Sequence, residues 1–515
     1  MRGQPPIHPR HMAAAVLYGI ICGVRSSRRL EEATRVRIDF MWLLHGMSID
    51  HSTLAKFRTR HEAALKSLFR RVNRQALQQM ESKLVELIFD GTRMRANSDR
   101  HGARTAGWLE RRLEELQRHM DEALQQMDAA DLHENVDTAA PAALQAHIEG
   151  LRQEVERCEK ALAVARERDE AKREKDGQGA TAVRVPVTDP DAFLVPNKEG
   201  GYAPNHTPVA GVDGGSGLIL AAAVLANGSE AAAVQPMVEA VQQDHEVGIE
   251  RVLFDSGLAS GANLDAMAGQ GIEVYAPVDS PSGQNHPAQR EDPSQPLPPE
   301  RIAALPRTKS GGKLDRNAFL YDPQLDLYWC PLGRRLPPHR TISRKTPDGP
   351  VQHTEYQSLD CEHCPLSAGC LSGKARRRSI NRDPFEARRE ETARRMATDD
   401  GKAIYRRRAP VIEGTFGCIK SAMGVRQFLL RGLTKVRIEW LWICTAFNLK
   451  KLLRFLAGRA PRSPVRPVPP QASVPRADHG LTPLRLLALW KVAARPSAPM
   501  PFADCLPNSS WRRAD

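Results

Sequence analysis

The rhythm of apolar positions changes several times along the 515 residues, and each change marks a boundary. Residues 11 to 82 carry helical spacing, first in "GVRSSRRLEEATRVRIDFMWLLHG" and then in "SIDHSTLAKFRTRHEAALKSLFRRVNRQAL", where Asp50 or Ser52 can cap the second stretch. "VELIFDG" then predicts a strand that stops in Asp90 and Gly91. From Leu109 the steps become those of a coiled-coil seam. Leu109, Leu113, Leu116, Met120, Leu124 and Met127 form one stripe; Leu144, Ile148, Leu151, Val155, Cys158, Leu162 and Ala165 form another. With a polar, Pro141-containing connection between them, they predict an antiparallel helical hairpin inserted into the domain that the Asp90 strand begins, an intermolecular coiled coil being the alternative.

Strand-like alternation returns in "HTPVAGVDGGSGLILAAAVLANG", with "DGGSG" as a hairpin turn. "MVEAVQQDHEVG" reads as a helix, and "IERVLFDSGLASGANLDAMAGQGIEVYAPV" as strand, loop, helix, strand, so the core is α/β. Residues 281 to 312, rich in Pro, Ser, Gln and Gly, predict a loop, and a cysteine-bearing segment follows at 318 to 372. Helix resumes near 383 and runs through "YRRRAPVIEGTFGCIK" and "VRIEWLWICTAFNLKKLLRFLAG". From Arg459 the Pro, Arg and Ser content predicts a disordered tail with one short helix at "LLALWKVAA".

Charge narrows the class of partner. A formal net charge of +13 and a pI near 9.4 favour a polyanion, because Lys and Arg gain by displacing the counterions condensed on nucleic acid. A membrane is disfavoured. The apolar run Met12 to Val24 is too short to span a bilayer, and the stretch near 440 carries Arg437, Glu439, Asn448 and Lys450. Nine cysteines, an odd number with four clustered, point to a reducing cytoplasm rather than a secreted disulfide framework. The basic residues of the second N-terminal stretch, Lys56 and Arg58 among them, predict a helical module presented to DNA, with an ordinary solvated basic face as the alternative.

Three acids carry the candidate chemistry. Asp255, in "IERVLFDSG", repeats the situation of Asp90: an apolar strand ending in Asp before small residues. Strand ends of open α/β sheets leave room for a ligand on a rigid scaffold. Glu413 lies on a predicted helix whose Ile412 and Phe416 would face the sheet. Such carboxylates suit Mg²⁺ or Mn²⁺, and a pair of ions can activate an attacking oxygen and stabilise a leaving one. Cys330, Cys361, Cys364 and Cys370 can close a tetrahedral structural Zn²⁺ site or remain reduced and metal-free; His363 is expected to be exposed rather than a ligand. Arg376, Arg377 and Arg378 would meet phosphates.

The motifs "YGIICGVRSSRRLEEA", "DHSTLAKFRTRH", "DGTRMRANSD", "TDPDAFL", "VLFDSGLASGANL", "YWCPLG", "CEHCPLSAGC" and "YRRRAPVIEGTFGCIK" fall in the order seen in bacterial insertion-sequence transposases of the DDE class. Over residues 10 to 457 the chain most resembles the group called IS eleven-eighty-two. It departs at Leu258, where an aromatic is usual, and at "APNHTPVAGVD", which puts the role of Asn205 in doubt. The resemblance implies a ribonuclease-H-like catalytic core, a mixed sheet flanked by helices, with Asp90, Asp255 and Glu413 as ligands of two metal ions. Tyr405, Arg408, Glu413 and Lys420 resemble the Tyr, Arg, Glu, Lys helix signature of related transposases, with one extra residue between Arg and Glu, which implies DNA contacts for Tyr405, Arg408 and Lys420; a plain solvated side chain is the alternative for Lys420 and for Arg408.

The expected organisation is an N-terminal helical DNA-binding domain (1–82), the core's first part (83–104), the inserted hairpin (105–178), the core continued (179–317), a zinc-ribbon-like insertion (318–382), the core's last helices (383–458) and the tail (459–515). The implied activity is cleavage of element ends and joining of the 3′-hydroxyl to target DNA. The implied partners are double-stranded DNA, comprising terminal inverted repeats and target, and a second copy in a homodimer. A metal-dependent nuclease without strand transfer and an inactive DNA-binding remnant are the competing readings.

Overall fold

The computed structural model describes residues 7–131, 139–176, 181–196, 201–225, 231–280, 286–308, 312–346, 349–373 and 375–459. The expected disordered tail beyond Arg459 lies outside them. The chain divides into two units, one formed by residues 1–83, 91–229 and 413–515, the other by 84–90 and 230–412.

The helix Leu433–Arg459 organises the first unit. It packs against the helices Pro9–Ile21, His51–Arg60 and Glu62–Met80 and against the strand Ile219–Val224. Trp440, Trp442, Ile443, Cys444, Ala446 and Phe447 are all buried, as expected of a helix enclosed on every side. Its buried polar groups are satisfied in place. Glu439 pairs with Arg25 at 2.8 Å and accepts the N–H groups of Leu429 and Leu430. Asn448 accepts the N–H of Ile219 at 2.8 Å and donates to the side-chain oxygen of Asn73 at 2.7 Å. Among the described residues no helix is long and apolar enough to cross a membrane.

"TDPDAFL" anchors the start of this helix. Asp191 accepts the N–H of Leu433 at 2.7 Å, while Asp189 accepts that of Gly432 and holds buried His206 at 2.9 Å. The hairpin Pro208–Asp213/Ile219–Val224 turns at "DGGSG", where Asp213 accepts from the backbone of Ser216 and from the Ser82 hydroxyl. The helices Ala106–Asp131 and Ala139–Asp176 bury their stripes against each other. The pairs Arg112–Glu154 and Arg166–Glu110 cross in opposite chain directions, so the helices run antiparallel.

In the second unit the strands Glu86–Gly91, Arg251–Leu253 and Glu273–Tyr275 run parallel, with Arg251–Leu253 in the middle. Leu87, Ile88, Phe89, Val252, Leu253 and Phe254 are completely buried, which explains the unbroken apolar runs. The cysteine-bearing module consists of two three-stranded antiparallel sheets. Its core takes in Ala288, Leu297 and Leu305, so the stretch expected to be a loop contributes to packing. Isolated apolar residues in an aperiodic segment carry no period to announce that role.

Asn448→Ala would strand the N–H of Ile219 and the amide oxygen of Asn73. A buried unsatisfied group costs about 1–3 kcal/mol, so urea unfolding should show a loss of roughly 3 kcal/mol. A loss below about 0.5 kcal/mol would remove this network from the determinants of the fold.

Candidate active site

Parallel register brings the two aspartates level. Ile88 faces Leu253 across the strand pair, and two residues further along each chain stand Asp90 and Asp255. Both are partly exposed, whereas the preceding Phe89 and Phe254 are fully buried. Both faces of these strands are buried up to Phe89 and Phe254, and exposure begins only at Asp90 and Asp255, where the apolar runs end. Asp255 accepts the N–H of Leu258 at 3.2 Å within the "DSGL" turn, where Gly257 keeps side-chain bulk away from the carboxylate.

Two consecutive arginines secure the Asp90 strand. Arg407 reaches buried Glu86 at 2.9 Å, and Arg408 reaches Asp90 at 3.1 Å. Glu86 and Asp90 lie about 13 Å apart along a strand, so the two side chains diverge from the end of the helix Asp399–Arg406 to hold both ends. Burial raises the pKa of the Tyr405 phenol; Asp255 and Asp90 push it the same way, against Arg408. Tyr405 therefore lies within electrostatic range of both aspartates.

Glu413 is exposed on the helix Arg408–Gly417, while Ile412, Thr415 and Phe416 are buried, the division that the sequence pattern predicts. A π-helical turn, Cys418–Ala422, follows and carries Lys420. The ammonium of Lys420 is not a solvated end: it donates to the Thr92 hydroxyl and to the carbonyl of Arg93 at 3.1 Å, just past Asp90 in the chain.

The basic residues separate into two kinds. Lys56, Arg376 and Arg377 are exposed and remain available to phosphates. Arg58 is not: it is 4% exposed, donates to the carbonyl of Arg25 at 2.7 Å and faces Glu439 at 3.9 Å. The expectation that it contacts DNA is therefore corrected, since its charge is spent inside the protein. Arg378 is partly buried, donates to the carbonyls of Cys370 and Leu314 and covers the ring of Phe319.

The four cysteines of the module are free thiols. Burial raises the Cys370 thiol to about 11, with Cys361, Cys364 and Cys330 adding to the rise and Arg378 opposing it. Cys330 accepts the N–H of Arg334 at 3.3 Å in the tight "CPLG" turn. Among the described residues no three His, Cys, Asp or Glu side chains stand close enough together to hold a metal ion. The Asp90 and Asp255 pair nonetheless suits Mg²⁺, which binds through one or two carboxylates and completes its shell with water and phosphate. The guanidinium on Asp90 shows that this carboxylate already accepts a cation.

A family described as "Transposase DDE domain" matches residues 329–453, and one described as "Transposase domain" matches residues 1–60. Both matching families are transposase families, and together they cover about a third of the chain. The first match spans Arg408, Glu413, Lys420 and the four cysteines; Asp90 and Asp255 lie outside both and rest on their register. No curated protein matches. Among solved structures, "Mos1 transposase paired-end complex with left transposon end" is similar at 10% identity and a TM-score of 0.15, over 53% of this chain and 60% of that one. So low a score bears no weight in the argument, and the chain spans less than two thirds of that transposase. The mixed α/β architecture fits the ribonuclease-H-like core that the sequence resemblance implies.

Sequence reasoning missed Glu86, Arg407 and Thr92, whose roles depend on partners far away in the chain. Arg58→Gln should lower stability by roughly 3 kcal/mol through the loss of a buried charged anchor, whereas exposed Lys56→Gln should stay within about 0.5 kcal/mol in the same urea titration. Equal stability of the two variants would contradict the division drawn here.

Proposed function

We propose that this chain is a DNA transposase of the IS eleven-eighty-two group that cuts element ends and joins the exposed 3′-hydroxyl to target DNA. The observation that supports it most is the shared level of Asp90 and Asp255 at the rim of a parallel sheet, in a chain that matches transposase families at two places. In the first step water attacks a phosphodiester, a new P–O bond forms and the DNA 3′-oxygen leaves. In the second step that 3′-hydroxyl attacks a target phosphodiester and expels the target's 3′-oxygen.

Asp90, Asp255 and Glu413 would hold the divalent cations. Two bound Mg²⁺ or Mn²⁺ ions supply activation of the attacking oxygen and charge stabilisation of the leaving one. The chain's own residues set the stage. Arg408 neutralises Asp90 and can pass to a phosphate once a cation takes its place. Lys420 fixes the turn that follows Asp90, and Tyr405, with Arg408, would contact the DNA strand. Lys56, Arg376 and Arg377 offer exposed charge for the DNA backbone.

We further propose that Cys330, Cys361, Cys364 and Cys370 would draw together around a structural Zn²⁺ on binding it, since no three of them stand at ligand spacing beforehand, with the Arg334 N–H supporting Cys330. Protein purified under reducing conditions should then contain about one zinc per chain, and Cys361→Ser/Cys364→Ser should contain none. A metal content of zero in the parent protein would leave the cysteines as reduced core thiols.

Asp90→Asn tests the main reading. It should abolish cleavage of DNA carrying the element's ends while leaving binding to that DNA nearly unchanged. Full cleavage by this variant would overturn the assignment. Cleavage by the parent protein without joining would instead favour a nuclease.

A further inference from the structure

Four arginines beyond those already assigned converge on one surface of the first unit. The chain after Asp90 runs as Thr92 to Asn97 beside residues 425 to 431, in a parallel bridge between Arg95 and Gln427. The N–H of Arg95 donates to the carbonyl of Arg426, the N–H of Phe428 donates to that of Arg95, and Asn97 donates to the carbonyl of Leu429 at 2.7 Å. Met94 and Phe428 are buried beneath, while Arg93, Arg95, Arg426 and Arg431 are exposed above.

The way these side chains are held distinguishes them from ordinary surface arginines. Arg431 donates through Nε to the carbonyl of Asn97 at 2.7 Å, Arg426 through Nε to that of Lys420 at 3.4 Å, and Arg93 through one terminal nitrogen to that of Pro196 at 2.8 Å. Among the described residues no carboxylate pairs with any of these three. By contrast, Arg112, Arg166 and Arg388 elsewhere on the protein pair with acids. A backbone carbonyl removes rotamer freedom without cancelling the charge, and it leaves further guanidinium donors unused. Side chains fixed in advance lose less entropy when they bind.

We propose that residues 92–97 and 424–431 form a preorganised ledge for the phosphates of a DNA strand, with Arg93, Arg426 and Arg431 as its contacts. The ledge begins two residues after Asp90 in the chain and is stapled to the Lys420 turn through Thr92 and Arg93. The inference rests on the transposase reading for its choice of polyanion.

The test is the salt dependence of binding to a short random-sequence DNA duplex, measured with the full chain over roughly 50 to 200 mM salt. Each phosphate contact contributes about 0.9 to the slope of log affinity against log salt, so Arg426→Gln/Arg431→Gln should lower the slope by about 1.8 and weaken binding. Arg152→Gln/Arg166→Gln, which removes the same charge from the long helix Ala139–Asp176, should leave the slope at the parent value. Arg426→Lys/Arg431→Lys should keep the slope yet bind more weakly than the parent, because lysine cannot make the tethering Nε contact and a phosphate contact together. A parent-like slope in the glutamine variant would overturn the ledge, as would an equal fall in the helix control. Full affinity in the lysine variant would overturn its preorganisation. The readout needs no strand cleavage, so failure here leaves the Asp90 assignment standing, and a cutting Asp90→Asn protein would leave the ledge standing.

Discussion

Parallel strands that share a register end their side chains level with one another, and in this protein that constraint sets the position of the chemistry. Ile88 opposite Leu253 fixes the pair; Phe89 and Phe254 are buried, and exposure begins at Asp90 and Asp255. A slip of one residue in either strand would put the two aspartates out of level and draw one of them toward the buried part of the sheet. The burial of large apolar side chains thus sets where the carboxylates stand. Arg407 and Arg408 add polar anchors at the two ends of the first strand.

The first unit applies the same economy to its polar groups. The central helix contains Glu439 and Asn448 because each answers a backbone demand from a distant segment: the N–H groups of Leu429 and Leu430 in one case, that of Ile219 in the other. Asp189 and Asp191 do the same at its N-terminus. The segments so joined include 425–431, whose arginines lie along the exposed side of the Arg95–Gln427 bridge. Interior polar order and exterior charge are consequences of one backbone arrangement.

Features with a local period were readable in the sequence. The apolar runs before Asp90 and Asp255 state both the strand and its end, and Leu109 to Met127 and Leu144 to Ala165 contain the residues that the long helices bury against each other. Ile412 and Phe416 likewise announce the buried side of the Glu413 helix. What depends on a distant partner was not readable. Arg58 and Lys56 are two residues apart in one basic stretch, yet the former lies under Arg25 and Glu439 while the latter meets solvent. The same holds for Arg378 beside Arg377, and for Lys420, whose partner Thr92 lies far back in the chain. Ala288 and Leu297 joined a core from a segment with no period at all.

The account turns on whether Asp90, Asp255 and Glu413 serve one set of divalent cations. Ferrous iron substituted for Mg²⁺ and supplied with hydrogen peroxide and ascorbate generates short-lived hydroxyl radicals that cut the polypeptide close to the bound ion, so the positions of the cuts report which segments surround it. With DNA present, cuts are expected together near residues 90, 255 and 413, and all three are expected to vanish in Asp255→Asn. Cuts confined to one or two of these segments, or a pattern unchanged in that variant, would contradict a shared site.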